Sequence, residues 1–201
     1  MAHLEESLRE RSKARRRKAI RREAMRLFAE RGFDGATIQD IAQAAEVAPR
    51  TVSMYFPTKL DIALSWSNEA AERLAAAFHE HPELEFADVI ARWLDRERQS
   101  ADPELASSAL AMLDANPTLR AAWDAQVGDA MQVAAESLTR QLRMDPDGLL
   151  FAVASAAVGA AITQYAKTTA RTPAGPQEQE TFLAYLRSII DTANAMSASG
   201  Q

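Results

Sequence analysis

Eight prolines, at positions 49, 57, 82, 103, 117, 146, 173 and 176, set the first limit on how this chain can fold. Proline fixes φ and lacks an amide hydrogen, so a helix admits it in its first turn but not in its interior. Between the prolines, apolar side chains recur at intervals of three and four residues, the period of a helix with one buried face. Asp102-Pro103, Asn116-Pro117 and Asp145-Pro146 each put a good N-cap residue before proline, which predicts a helix start at all three. Alanine supplies 42 of the 201 residues while valine and isoleucine together supply 15, a balance that favours helix over sheet. The reading is all-α, with about nine helices. They are expected near 12–31, 37–45, 48–56, 59–80, 86–100, 103–114, 117–143, 146–170 and 178–196.

Composition narrows the chemistry. The chain has no cysteine and only three histidines, so disulfides and thiolate metal sites are excluded and a histidine metal site lacks ligands. None of the sequences G-x-S-x-G, G-x-x-x-x-G-K-[ST], G-x-G-x-x-G or H-E-x-x-H occurs. No enzyme, cofactor or metal is expected. Net charge is −5, but residues 1–60 hold thirteen basic and eight acidic side chains, whereas residues 61–201 hold ten and twenty. One basic end on an acidic body suits a polyanion bound at that end only. The basic run at positions 9–22 carries nine basic residues and one acid, and reads as a phosphate-facing arm that includes Arg16 and Arg17. A lipid-seeking helix is the rival, but the run lacks the large apolar face that insertion requires.

No apolar stretch follows the basic start, so a targeting segment is not expected. The longest apolar run, Leu149 to Ile162, has fourteen residues, too few to cross a bilayer. It reads as a buried helix in a cytoplasmic protein that does not meet a membrane.

The stretch 37–56 holds two short amphipathic helices joined by a turn at Glu46-Val47. Thr37 is placed to cap the first, with Asp40 three residues on, where a capping-box acid stands. Ile38, Ile41, Ala42 and Ala45 make its apolar stripe, and Val52 and Phe56 point the second helix inward. Pro49, Arg50, Thr51, Ser53, Met54 and Tyr55 then lie on or beside its outer face. A guanidinium, hydroxyls and a phenol suit base edges and phosphates, and the arrangement is a helix-turn-helix able to enter a major groove.

Residues 18–64 resemble the DNA-binding domain of the TetR family of transcriptional repressors, through AIRREAMRLFAERGFDGATIQDIAQAAEVAP and RTVSMYFPTKLDIAL. Leu27-Phe28, Arg31-Gly32-Phe33, Thr37, Ile41-Ala42, Val47, Tyr55-Phe56 and Lys59 agree with the family in order and spacing. The resemblance implies a helix-turn-helix domain over residues 1–57 and a helical ligand-binding and dimerisation domain over residues 58–201. It implies phosphate contacts by Thr37, Tyr55 and Lys59, base or phosphate contact by Gln39, and base-edge or backbone contact by Arg50 and Thr51. Glu46 replaces a common turn glycine, which makes a left-handed backbone there less expected; Ser53 and Met54 also depart from the family pattern.

The resemblance further implies a homodimer, paired through residues 146–170 and 178–196. Ala152, Ala156, Gly159 and Ala160 permit close helix approach, and Phe182, Leu183, Leu186, Ile189, Ile190 and Ala193 form an apolar stripe that a partner subunit or the chain's own core could bury. Such a dimer presents two reading heads to a palindromic double-stranded operator. A small-molecule effector is expected to release it, with Trp66, Trp93, Met112, Trp123, Phe151 and Tyr165 as candidate ligand contacts. Each of these is also a natural core residue. The stretch around Asn116-Pro117-Thr118-Leu119-Arg120 is similar to members answering acyl-CoA-like ligands, with Arg92, Arg96 and Arg120 available to an anionic head group.

Overall fold

The computed structural model describes the backbone of residues 2–100 and 102–199, and the side chains of residues 10–99, 102–125, 132–169 and 172–198. Arg9, at the head of the basic run, and residue 170, at the end of one expected interface helix, lie outside the described side chains. Among the described residues there are nine helices and no strand: α1 (Ala2–Gly35), α2 (Ile38–Ala44), α3 (Pro49–Tyr55), α4 (Lys59–Glu80), α5 (Phe86–Ser100), α6 (Pro103–Ala115), α7 (Pro117–Gln141), α8 (Leu149–Arg171) and α9 (Pro176–Ser199).

The prolines act where expected at α3, α6 and α7, each of which begins at one, and α9 begins at Pro176, two residues before the expected 178. Asn116 caps α7 with its side-chain oxygen, which accepts from the Leu119 amide at 3.1 Å. Asp145-Pro146 does not start a helix. The Gly148 amide donates to the Asp145 carbonyl at 3.0 Å, the Asp147 amide to the Asp145 side chain at 3.1 Å, and α8 begins only after Gly148. Asp-Pro-Asp-Gly is a strong turn sequence, with proline second and glycine fourth, so turn chemistry wins over the N-cap. The first helix also extends upstream of residue 12, and it is interrupted at Gly32, where φ is 77° and ψ is 161°.

The chain forms two compact units. The first comprises residues 1–67 and 104–123, the second residues 68–103 and 124–201. In the first, α1 packs on α2 and α2 on α3. Ile20, Ala24, Leu27, Phe28, Ile41, Ala42, Val52 and Phe56 are buried there. In the second, α9 packs against α8 and α5 around Phe86, Ile90, Leu138, Val158, Ile162 and Leu186. Arg73 of α4 grips Glu97 of α5 with two hydrogen bonds, at 2.6 and 2.8 Å, which fixes that half of α4 on the second unit.

The last two helices differ in how they use their apolar residues. The α9 stripe faces inward: Leu183, Leu186, Ile190 and Ala193 are buried within the chain, and Phe182 and Ile189 pack against the same core. The apolar run of α8, expected to be buried, is largely exposed, with 17% of its most apolar window buried. Alanine makes both faces of α8 apolar, and its core face needs only every third or fourth residue, namely Ala154, Val158 and Ile162. By length and composition alone α8 is the one helix among the described residues apolar enough to cross a membrane.

Candidate nucleic-acid interface

The first unit builds its outer surface from the end of α1 onward. Ile20, Ala24, Leu27 and Phe28 anchor α1, and the positive φ of Gly32, open to glycine at little cost, turns the chain away. Phe33 returns to pack on Phe28, with ring centroids 5.3 Å apart.

Thr37 then starts α2 through a complete capping box. Its hydroxyl oxygen accepts from the Asp40 amide at 3.1 Å, and its own amide donates to the Asp40 carboxylate at 2.9 Å. The hydroxyl also donates to that carboxylate at 2.5 Å, and Arg31 reaches it at 3.3 Å. Hydrogen bonds from Thr37, then the charge of Arg31, hold the Asp40 carboxyl below its usual range. The Thr37 hydroxyl is thus engaged in the cap, while Gln39 stands exposed beside it.

The turn after α2 departs from expectation. Glu46 adopts φ 54°, the left-handed region, although it is not glycine. The Val47 amide donates to the Ala42 carbonyl at 2.9 Å, a helix-ending bond that requires the chain to reverse at Glu46. Closure of the helix-turn-helix overrides the side chain's own preference.

Burial of Val52 and Phe56 fixes the rotation of α3. Arg50, Ser53 and Met54 follow at i, i+3 and i+4, all exposed on one face, with Pro49 also exposed and Thr51 and Tyr55 half-buried. Ser53 donates back to the Pro49 carbonyl at 3.4 Å. Among the described residues no hydrogen bond or ion pair engages the Arg50 guanidinium.

Two cations expected at phosphate also make contacts inside the domain. Lys59 Nζ donates to the carbonyls of Phe33 and Ala36, at 2.7 and 3.0 Å, and lies 4.3 Å from the centroid of the Phe33 ring. It ties the start of α4 to the link after α1. Arg17 donates to the Tyr55 carbonyl at 3.1 Å and stacks 4.5 Å from the Phe56 ring centroid, closing the end of α3 onto α1. No sequence signal separates these roles from phosphate contact, because they depend on which carbonyls the fold brings near. Arg16 remains exposed, and with Ser12, Arg15, Glu46 and Thr51 it lines an open hollow between α1 and the turn. Arg15 and Ser12 belong to this surface as well.

The candidate ligand residues do not share one unit. Trp66, Met112 and Trp123 belong to the first, and Trp93, Phe151 and Tyr165 to the second. Trp93 donates its indole N–H to the Ala70 carbonyl at 3.2 Å, and Tyr165 stacks on Phe182 at 4.0 Å. Burial, then the nearby Glu178, raises the Tyr165 hydroxyl above its ordinary range. Arg120 is paired with Asp114, and Arg96 with Glu80 at 3.6 Å. A hollow on the second unit has a mixed-charge rim that includes Asp88, Arg140, Arg143, Arg187 and Asp191, and none of the six candidates lines it. Elsewhere in that unit, Asn68 Oδ1 and Ser155 Oγ are buried without a hydrogen-bond partner.

Known proteins supply the comparison for this geometry. Residues 20–65 match the family described as bacterial regulatory proteins, tetR family. The chain is similar to the HTH-type transcriptional regulator TcmR of Streptomyces glaucescens, at 31% identity over 125 residues, which is 58% of this chain. The match spans about half of that relative, 55% of its length. Among solved structures, a tetR-family transcriptional regulator from Streptomyces coelicolor aligns over 92% of this chain and 85% of its own, with TM-score 0.58 and 18% identity. Thermus thermophilus FadR, a transcriptional repressor solved in complex with lauroyl-CoA, aligns over 87% and 93%, with TM-score 0.50 and 20% identity.

Proposed function

We propose that this chain is a TetR-family, DNA-binding transcriptional regulator of the cytoplasm, without enzymatic activity. The observation that carries the reading is the outer face of α3, where Arg50, Ser53 and Met54 stand together on a helix pinned by Val52 and Phe56. An exposed guanidinium with no partner among the described residues is placed for the O6 and N7 acceptors of guanine in a major groove. Gln39, Thr51 and Tyr55, with Arg16 on the adjoining α1 surface, flank it toward phosphate. Thr37, Arg17 and Lys59 act chiefly by holding this head in shape. The helix-turn-helix domain occupies residues 1–57 and the sensing and pairing domain residues 58–201.

The active form is a homodimer joined by α8 and α9. The support is the exposed apolar face of α8, with Leu149 82% and Val153 56% exposed and Ala152, Ala156 and Ala160 along the same side. Tyr185 and Met196 of α9 are exposed as well. Isolated apolar residues on a surface are ordinary, but a continuous stripe marks an interface. A two-fold pair sets two reading heads roughly 34–36 Å apart and calls for a palindromic operator.

A small-molecule effector releases DNA by acting on the second unit. The orphaned oxygens of Asn68 and Ser155 support a polar ligand contact there, since an unsatisfied buried group costs about 1–3 kcal/mol. Asn68 lies on α4, whose first turns, from Lys59, belong to the first unit, so one helix can carry the change to the reading head. Repression is the direction the family resemblance favours. Selection of sites from random double-stranded DNA at about 150 mM salt, close to physiological ionic strength, tests the reading. It is expected to return a palindrome, and selection that enriches no sequence from folded protein refutes it.

A further inference from the structure

We propose that Met54 reads the 5-methyl group of a thymine within the operator half-site, an inference that rests on the DNA-binding reading above. Met54 is 77% exposed, and an exposed methionine alone signifies nothing. Its position is what distinguishes it. With Val52 and Phe56 buried, α3 cannot turn Met54 inward without breaking its own anchoring. The other two groups on its face are Ser53, whose hydroxyl is turned back to the Pro49 carbonyl, and Arg50. The face that enters the groove therefore presents one strong donor and one apolar thioether.

Base edges in the major groove offer one apolar feature, the thymine methyl, beside donors and acceptors. A thioether cannot donate to any base edge and accepts only weakly, so apolar contact is what it offers. Met54 follows Arg50 by one helical turn, about 6 Å along the axis, which corresponds to roughly two base-pair steps. The half-site is thus expected to hold a guanine read by Arg50 and a thymine within about two steps of it.

The test uses the full-length protein and the duplex recovered by selection, with each thymine replaced in turn by deoxyuridine, which removes only the methyl. Replacement at one position per half-site is expected to weaken binding of the parent about three- to fivefold, the effect of one buried methyl-sized group. Met54→Ala is expected to bind the thymine and deoxyuridine duplexes equally. A parent indifferent to deoxyuridine everywhere, or a Met54→Ala variant that keeps the discrimination, overturns the inference and leaves the DNA-binding reading standing. Selection that yields no enriched sequence overturns both. Because Met54 is exposed, its replacement leaves the fold intact, which circular dichroism of the variant confirms.

Discussion

Glu46 holds a left-handed backbone, φ 54°, that costs a residue bearing Cβ roughly 1–2 kcal/mol. Glycine removes that cost but adds unfolded-state entropy, so Glu46→Gly is expected to stabilise the protein by about 0.5 kcal/mol. Urea unfolding at unchanged m-value reads this as a raised midpoint, and a lowered one means the acid makes compensating contacts. Lys59 and Arg50 are predicted to part company. Lys59→Ala removes two charge-assisted bonds, at 2.7 and 3.0 Å, and is expected to cost about 2 kcal/mol of stability with little change in the salt dependence of binding. A phosphate contact would instead flatten the salt slope by about one unit while sparing stability. The resemblance marks Lys59 as a phosphate contact, but only folding shows that it also binds the carbonyls of Phe33 and Ala36.

At the scale of elements, α2 depends on a box that ionisation controls. Hydrogen bonds from Thr37 depress the Asp40 carboxyl in the folded protein, so the box contributes stability above the unfolded-state value. That contribution is lost as pH falls through the lower, folded value. Stability is therefore predicted to decline below about pH 4, and Asp40→Asn to flatten that part of the curve. Identical acid limbs in thermal melts of parent and variant would contradict it. This box was legible in the sequence because Thr37 and Asp40 sit three apart, a purely local signal. Helix starts at Pro49, Pro103 and Pro117 were legible for the same reason. Pro146 misled because an N-cap and a turn share the letters Asp-Pro, and Gly148 two residues on decided for the turn. The outer face of α3 could be read from Val52 and Phe56, whereas the contacts of Arg17 with Tyr55 and Phe56 could not, since the partners lie 38 and 39 residues away.

For the whole molecule, α8 carries the weight of the dimer reading. Its inward residues were predictable from spacing, but an alanine-rich helix looks buried on every side, and the exposed side emerges only from packing. The six candidate effector residues show the same limit: large apolar side chains announce burial, and sequence does not divide them between two units. Val153→Asp, placed on the exposed face, is expected to convert the dimer to monomer in sedimentation velocity and to weaken operator binding at least tenfold, the equivalent of about 1.4 kcal/mol. A dimer of undiminished stability would place the interface elsewhere. The central claim, that the α3 face reads base edges, is tested most directly by dimethyl sulfate protection of guanine N7 on the selected duplex. One guanine per half-site, with half-sites about one helical turn apart, is predicted to be shielded by the parent and uncovered with Arg50→Ala. Protection that is absent, or unchanged in the variant, would contradict it.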